Sequence, residues 1–406
     1  MQNYQGKYGQ AKVFIDLIDE EDKDKATIQQ IYEFLNHEAF TNPIAIMPDC
    51  HKGNGAVIGF TMELSNKVIP NVIGVDIGCG VLSVNLGNKF LDNLSREDLN
   101  NIIRTKVPFG TSVHTDTLPL NENILKEINL LLNLLSYNYH KSFVPWGEKK
   151  FKAPIVTNKW LEKKCEQIGM DYGRMLNSLG TLGGGNHFIE LGIDIDENYW
   201  MTFHSGSRQF GLKIANYHQK LANSFHPTGK DRRGLAYLQG KEMFDYLVDM
   251  VVAQYYAEVN RKFMMNQVLL YTPDFEIKNS IQSVHNFIDF NDFIIRKGAI
   301  RSYENEFMVI PFNMEDGLII CEGKSNSEWN FSAPHGAGRV ASRRWAKDNL
   351  SLDEAIQSME DKDIYTSKIP HDEIKGAYKS SEMIKNNIKD TANILHFIKP
   401  VLNCKE

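Results

Sequence analysis

Six segments between residues 47 and 339 constrain this chain more than anything else in it. They read Met47-Pro-Asp-Cys-His-Lys-Gly-Asn-Gly, Gly74-Val-Asp-Ile-Gly-Cys-Gly, Gly180-Thr-Leu-Gly-Gly-Gly-Asn-His-Phe-Ile-Glu, Phe203-His-Ser-Gly-Ser-Arg, Ser283-Val-His-Asn and Ser332-Ala-Pro-His-Gly-Ala-Gly-Arg. Each holds a His or a Cys, most of them beside glycine, and each lies far from the others in sequence. A zinc finger would need local ligand pairs, and no Cys-x-x-Cys occurs. Ser-His-Asp hydrolysis would favour a Gly-x-Ser-x-Gly elbow, and none of the segments supplies one. Packing alone explains so many imidazoles and thiols beside tight turns poorly. The chain is therefore expected to fold so that remote segments meet at one site.

The 406 residues, 42% hydrophobic and 24% charged, suffice for a substantial core. No run of 18 apolar residues exists, so no membrane span is expected. The N-terminus, Met1-Gln2-Asn3-Tyr4, shows no secretory signal. Five cysteines at long spacings argue against a disulfide framework and fit a reducing cytoplasm. A net charge of −6 argues against a protein coated in nucleic acid, but not against a local basic patch.

Composition predicts helices over 22–40, from Ser95 to about Thr105, over 121–135, 160–176, 233–270, 337–349 and 381–397. It predicts strands within 44–60 and 68–86, and near 199–204, 293–295, 308–310 and 318–321. Residues 110–157 read as otherwise irregular. Strands and helices are interspersed without a βαβ beat, which favours α+β over a doubly wound sheet. No break forces a domain boundary, so one large domain over 1–406 is expected, with a helical insertion at about 212–270.

Each segment has a chemical and a bland reading. Asp49, His51 and Lys52 make a polar loop at a site mouth, or an Asp turn with a surface His. Asp76 and Cys79 can reach one cation, and a thiolate can bridge two; equally, they are a capping Asp and a small buried Cys. The glycines before Asn186, His187 and Glu190 can face phosphates or simply turn. His204 ends an apolar strand near Arg208, which could hold a phosphate bidentately; the bland reading satisfies His204 with a carbonyl. His285 is an imidazole ligand candidate, with Lys297 a candidate phosphate contact. His335 stands in a Gly-rich turn read as leading into a helix with Arg343, Arg344 and Lys347, an anion site or a solvated basic face.

Together the segments resemble the RtcB family of RNA-splicing ligases, from Met47 to the C-terminus and in family order. The resemblance implies a single α+β domain, with packed sheets flanked by helices around a metal-site cleft. It implies two Mn²⁺ ions on Asp76, Cys79, His187, His204 and His285, with Cys79 bridging. It implies that His335 is guanylylated by GTP. It also implies nucleotide contacts from Asn186, Phe188, Glu190, Asn286, Pro311, Asn313, Met314, Gly336, Ala337, Gly338 and Lys405. Arg208, Lys297 and Arg339 are implied to hold RNA phosphates, and Asp49 and His51 to line the site. The implied substrate is RNA with broken ends, tRNA halves or damaged RNA, in the cytoplasm, with a monomer as the working expectation. His335 must attack as a neutral ring, and the residues do not name the partner that would fix its tautomer.

One stretch departs from the family pattern Pro-Gly-Ser-Met-Gly. Here Pro311-Phe-Asn-Met-Glu-Asp-Gly-Leu stands in its place, so Phe312 fills space and Glu315 is expected to bring negative charge near a nucleotide. That keeps two alternatives open. One is a metal-dependent phosphoesterase, or a ligase with altered nucleotide use. The other is a non-catalytic protein that binds RNA ends.

Overall fold

The computed structural model describes residues 1–18, 24–116, 119–148, 150–226, 234–273 and 275–406. Two sheets organise it. The first has six strands in the order Gln2–Gln5, Gln10–Val13, Ile44–His51, Ile58–Glu63, Ile294–Lys297 and Asn286–Ile288. The second runs Asn279–Val284, Gly80–Asn85, Tyr199–Ser205, Phe188–Ile193, Ala392–Cys404, Gly317–Gly323 and Phe307–Asn313. The short strand Tyr365–Thr366 adds in parallel to Ala392–Cys404. The architecture is the mixed α+β expected of the sequence.

The central strands of the second sheet, Gly80–Asn85 and Tyr199–Ser205, are buried on both faces or nearly so. That is why they read as near-continuous apolar runs rather than as alternation. Their ends matter most. Asn279–Val284 belongs to the second sheet and Asn286–Ile288 to the first, so His285 stands at the single residue between the sheets. The Gly78–Cys79 turn is tied to that junction by two backbone bonds, Gly78 N–H to Asn286 O at 2.7 Å and His285 N–H to Cys79 O at 2.9 Å.

The helix Gly240–Leu269 crosses behind this junction. It is buried on nearly all sides, so it lacks the stripe of a surface helix. The 212–270 stretch, expected as an insertion, is thus two helices, Arg208–Phe225 and Gly240–Leu269, and the second is a core element. Arg233, the expected start of the long helix, and Asp22, that of the first, lie outside the described residues; the first helix is observed over Lys25–Leu35.

Four other expectations need correction. The stretch 381–397 is helical only over Ser381–Asn387; Ala392–Cys404 is a 13-residue strand. It pairs on one side with Gly317–Gly323 and on the other with Phe188–Ile193, and these partners outweigh local helix preference. The helix expected from Ala337 begins only at Arg343, where the Ser342 side chain accepts from the Trp345 N–H. The stretch 160–176 splits at Gly169, which caps Asn158–Ile168 in the left-handed region (φ 68°), while Asp171 caps Tyr172–Asn177. The helix expected to end at Leu135 runs on as Glu122–Phe143. Among the described residues, no helix is long and apolar enough to cross a membrane.

Gly80 opens its strand directly against Val284 of the neighbouring strand in the same sheet. A Cβ there would lie 2.6 Å from the Ser283 carbonyl oxygen and 2.9 Å from the Val284 Cα. Gly80→Val is therefore expected to cost on the order of 2 kcal/mol or more, read as a lower urea midpoint with an unchanged m-value.

Candidate metal centre and nucleotide cleft

The strand ends and turns bring five predicted ligands into one chain of contacts. His187 Nε2 lies 3.0 Å from Asp76 Oδ2 and 3.4 Å from Cys79 Sγ. Cys79 Sγ lies 3.4 Å from His204 Nε2, which lies 3.3 Å from His285 Nε2. Two triads result, Asp76–Cys79–His187 and Cys79–His204–His285, each with its ligand atoms within 4.8 Å of one another and both sharing Cys79.

The donor set fits cations by its own chemistry. His187 Nδ1 lies 2.9 Å from the Leu182 carbonyl, which requires its proton. A neutral His187 then turns the Nε2 lone pair toward a carboxylate and a sulfur, an arrangement that a cation between them would satisfy. Burial pushes the His204 and His285 rings well below the ordinary imidazole range, so both present lone pairs. Burial, with Asp76 beside it, pushes the Cys79 thiol up, while the Arg261 cation opposes this. Burial would also raise Asp76, but its bond to His187 holds it below the usual carboxylate value. A shared thiolate flanked by carboxylate and imidazoles accepts manganese, zinc, cobalt or iron.

Two residues of the long helix hold these segments in place. Arg261 Nη1 donates to Gly78 O at 2.8 Å and to Ser205 O at 2.9 Å, tying the Asp76–Cys79 turn to the strand end beside His204. Asn260 Oδ1 accepts from the Gly180 and Thr181 N–H groups, and its Nδ2 donates to Thr181 O and Gly206 O. The glycine loop before His187 is thereby fixed to the same helix.

His335 lies against the second triad, its ring centroid 4.7 Å from that of His285. Its Nδ1 is 2.6 Å from Oδ2 of Asp49, which is fully buried at the turn-rich end of Ile44–His51. The carboxylate accepts the Nδ1 proton and leaves the Nε2 lone pair free. Gly338 lets the loop pass over that strand: with φ 73°, a Cβ there would meet the Asp49 carbonyl oxygen at 2.1 Å.

Beyond His335 opens a cleft of about 290 Å³. Asn186, Phe188, Glu190, Asn403 and Lys405 line it, facing Tyr378, Arg339, Arg343 and Glu373. The buried Glu373 carboxylate gathers three cations: Arg339 at 3.1 Å, Arg343 at 2.7 Å and Lys405 at 2.9 Å. Tyr378 also donates to it. Burial pushes the Glu190 carboxyl up to about 8, against Asn403 and Lys405, and its Oε1 has no hydrogen-bond partner.

A family model described as tRNA-splicing ligase RtcB matches residues 30–406. The chain belongs to the RtcB family. Among its relatives, the RNA-splicing ligase RtcB of Escherichia coli K12 is 30% identical over 394 residues, 89% of this chain and 90% of the relative. RtcB1 of a second Escherichia coli strain matches to the same extent. The tRNA-splicing ligase RtcB of Nanoarchaeum equitans is 26% identical over 440 residues, covering 91% and 89%.

In this RtcB chain most of the predicted residues gather around the cleft. His51, Asn286, Pro311, Asn313, Met314, Gly336, Ala337, Gly338 and Arg339 line it with those already named. Lys297 does not. Its buried ammonium donates to the Asn54 and Asn71 carbonyls, and burial brings its pKa down to about 7. Arg208 also lies off the cleft wall, donating to Thr181 Oγ1 and Gly110 O, with Asp76 acting on its charge. Glu315 turns the opposite way from the one expected: it accepts from Ser358 at 2.7 Å and pairs with Lys362. Phe312 does line the cleft and is 5% exposed.

Glu373, Tyr378 and Asn403 were not foreseen, nor were Asn260 and Arg261. The last pair left a signal, a polar couple inside an apolar helical run. The proposed centre predicts that Mn²⁺ raises the melting temperature of the metal-free chain by several degrees, through binding to the native state alone. Cys79→Ala should lose that shift, while Glu328→Ala, at a surface pair, should keep it.

Proposed function

We propose that this chain joins RNA 3′-phosphate or 2′,3′-cyclic phosphate ends to 5′-hydroxyl ends, using GTP and Mn²⁺, through a nucleotide carried on His335. The carrying observation is the geometry of His335. Its Nδ1 is engaged by a fully buried carboxylate, so Nε2 is the nucleophile, and it stands beside the shared-thiolate triads at the mouth of a nucleotide-sized cleft.

The Nε2 lone pair attacks the α-phosphorus of GTP. The N–P bond forms, the bond to the bridging oxygen breaks, and pyrophosphate leaves. Asp49 stabilises the positive charge that develops on the ring. An oxygen of the RNA 3′-phosphate then takes the GMP group and frees His335. Last, the 5′-hydroxyl oxygen attacks the activated 3′-phosphate, losing its proton, and GMP departs. A cyclic end is first opened by water to the 3′-phosphate. Cations on the two triads would neutralise phosphate charge and orient the attacking and leaving oxygens. Arg339, Arg343 and Lys405 supply fixed positive charge across the cleft.

Glu190 and Asn403 suit the edge of a purine, with Phe188 beneath and Lys405 near its ring. An ionised Glu190 would accept two adjacent N–H groups of guanine. With Glu315 turned away, the charge objection to GTP falls; Phe312 remains as a narrower wall. That wall favours one second reading, phosphoesterase opening of cyclic phosphates without joining. Incubation with a 2′,3′-cyclic phosphate RNA and a 5′-hydroxyl RNA separates the two: joined product rejects the second reading, and a 3′-phosphate alone supports it.

With Mn²⁺ and α-labelled GTP, a denaturing gel should show covalent label on the wild-type chain. His335→Ala should abolish it, and Asp49→Asn should slow it by a factor on the order of 10²–10⁴. An unlabelled wild type with metal bound would sink the proposal. The pH response follows from Glu190, whose native pKa is raised to about 8 by burial. Below that value it is protonated and must lose a proton to receive guanine. GTP affinity is expected to rise between pH 7 and 9, and Glu190→Gln should flatten the dependence; isothermal titration at each pH checks this.

A further inference from the structure

Between the cleft residues Cys79 and Asn186, one region inverts the charge of the molecule. Residues 137–164 hold seven lysines against two glutamates and no Arg or Asp, a balance of +5 in a chain of −6. The structure gathers part of this excess on one face. Along the helix Glu122–Phe143, Lys126, Leu130, Tyr137 and Lys141 are all exposed, spaced i, i+4, i+11 and i+15 on one side. The segment 151–155 packs beside that face. Lys126, Leu130, Lys152 and Ile155 line a shared groove.

The segment is fastened rather than loose. The Asn129 side chain clasps Val156 from both sides, accepting from its N–H at 2.8 Å and donating to its carbonyl at 2.9 Å. His140 Nε2 accepts from the Phe151 N–H at 3.0 Å. The Phe151 ring packs toward Phe244, anchoring the loop to the core. Held at this base, the turn presents Trp146 fully to solvent, with Tyr137 70% and Ile155 76% exposed nearby in the chain and Lys150 also exposed. Large apolar rings left in water on a fixed loop, interleaved with lysines, indicate a partner.

We propose that this face holds the body of the RNA substrate, with Trp146 and Tyr137 stacking on unpaired bases and the lysines following the phosphates. Charge complementarity selects the occupant: a polyanion with exposed ring faces satisfies both the lysines and the aromatics. The helix packs against Gly240–Leu269, whose Asn260 and Arg261 hold the metal-centre segments, so the face and the cleft share one rigid support. The choice of RNA rests on the proposed end-joining function.

The test measures equilibrium binding of fluorescent RNAs of about 30 and about 6 nucleotides, without GTP, the longer being able to span the cleft and a second site. Trp146→Ala with Tyr137→Ala should weaken the longer RNA on the order of tenfold and leave the shorter one unchanged. Lys150→Gln with Lys152→Gln should flatten the log K against log salt slope by about 1.4, roughly 0.7 for each phosphate that a lysine no longer neutralises. Lys389→Gln, at another exposed site, should do neither. These exposed substitutions leave the fold intact, which an unchanged melting temperature confirms. Unaltered binding of the longer RNA overturns the proposal. So does a change in sedimentation coefficient with RNA binding intact, which would make the face a contact between copies of the chain. GTP labelling of His335, run in parallel, separates the two ideas: label without an effect of the face overturns this inference alone, and an effect without label overturns the end-joining reading alone.

Discussion

The guanidinium of Arg261 is the interaction on which the rest depends. It is fully buried, and among the described residues no carboxylate pairs with it directly. A buried cation of this kind is costly unless its surroundings are polar and fixed. Two carbonyls meet Nη1, and the carboxylates of Glu258 and Asp76 act on it through space. The compensation is mutual. The arginine needs the negative charge of Asp76, and the turn needs the arginine to hold the Gly78 carbonyl toward the helix. Ligands from two strands and a turn can then stand within a few ångströms of one another before any cation binds.

The same logic carries from the metal centre to His335. His285 sits where one sheet hands over to the other, and His335 stacks near it from a third segment. Asp49 comes from the first sheet, so the Nδ1 proton of His335 is held by one sheet, while Cys79, His187 and His204 stand at or just before strand ends of the other. Any relative shift of the sheets would part Asp49 from His335 or distort the triads. The short turn through Gly78 and Cys79, with its two backbone bonds to the junction, resists that shift. Glycine is needed at 80 and 338, since a Cβ at the first would meet the paired strand of its own sheet and one at the second the Asp49 backbone.

Much of this was legible in the sequence because tight turns and metal donors leave residue types that packing alone does not require. Asp76, Cys79, His187, His204, His285 and His335 could be picked out, and the structure brings all six together. The strand Ala392–Cys404 could not, since its identity comes from partners 206 to 215 residues away in one case and 69 to 80 in the other. Nor could the partner of His335: Asp49 lies 286 residues earlier, and only the register of two sheets brings it into reach. Lys297 and Arg208 were read as phosphate contacts from their charge and their place beside His285 and His204. In the fold, both hold backbone carbonyls that shape neighbouring loops. Charge marks a residue that needs a partner, but the sequence does not say whether that partner is a ligand or the protein itself.

The departure at residues 311–318 shows the same limit in reverse. Glu315 looked hostile to a nucleotide, yet Ser358 and Lys362 draw it off the cleft. Asn313 caps its own turn, accepting from the Glu315 and Asp316 N–H groups, and donates to Asp316, which Lys375 and Ser381 hold in turn. Leu318 is plain core. What reaches the cleft from this stretch is mostly shape, in Pro311, Phe312 and Met314, with the Asn313 amide already engaged. The positive charge of the cleft lies instead in the cluster where Glu373 holds Arg339, Arg343 and Lys405 in place. Arg343 also pairs with Asp372, and Glu373 fixes the direction of each of the three cations. In the proposed reading, that cluster meets the phosphates of the nucleotide, and Glu190 and Asn403 meet its base. On the same reading, changes at 311–318 alter the shape of the cleft next to His335 and leave the Asp49 contact and the triads as they are.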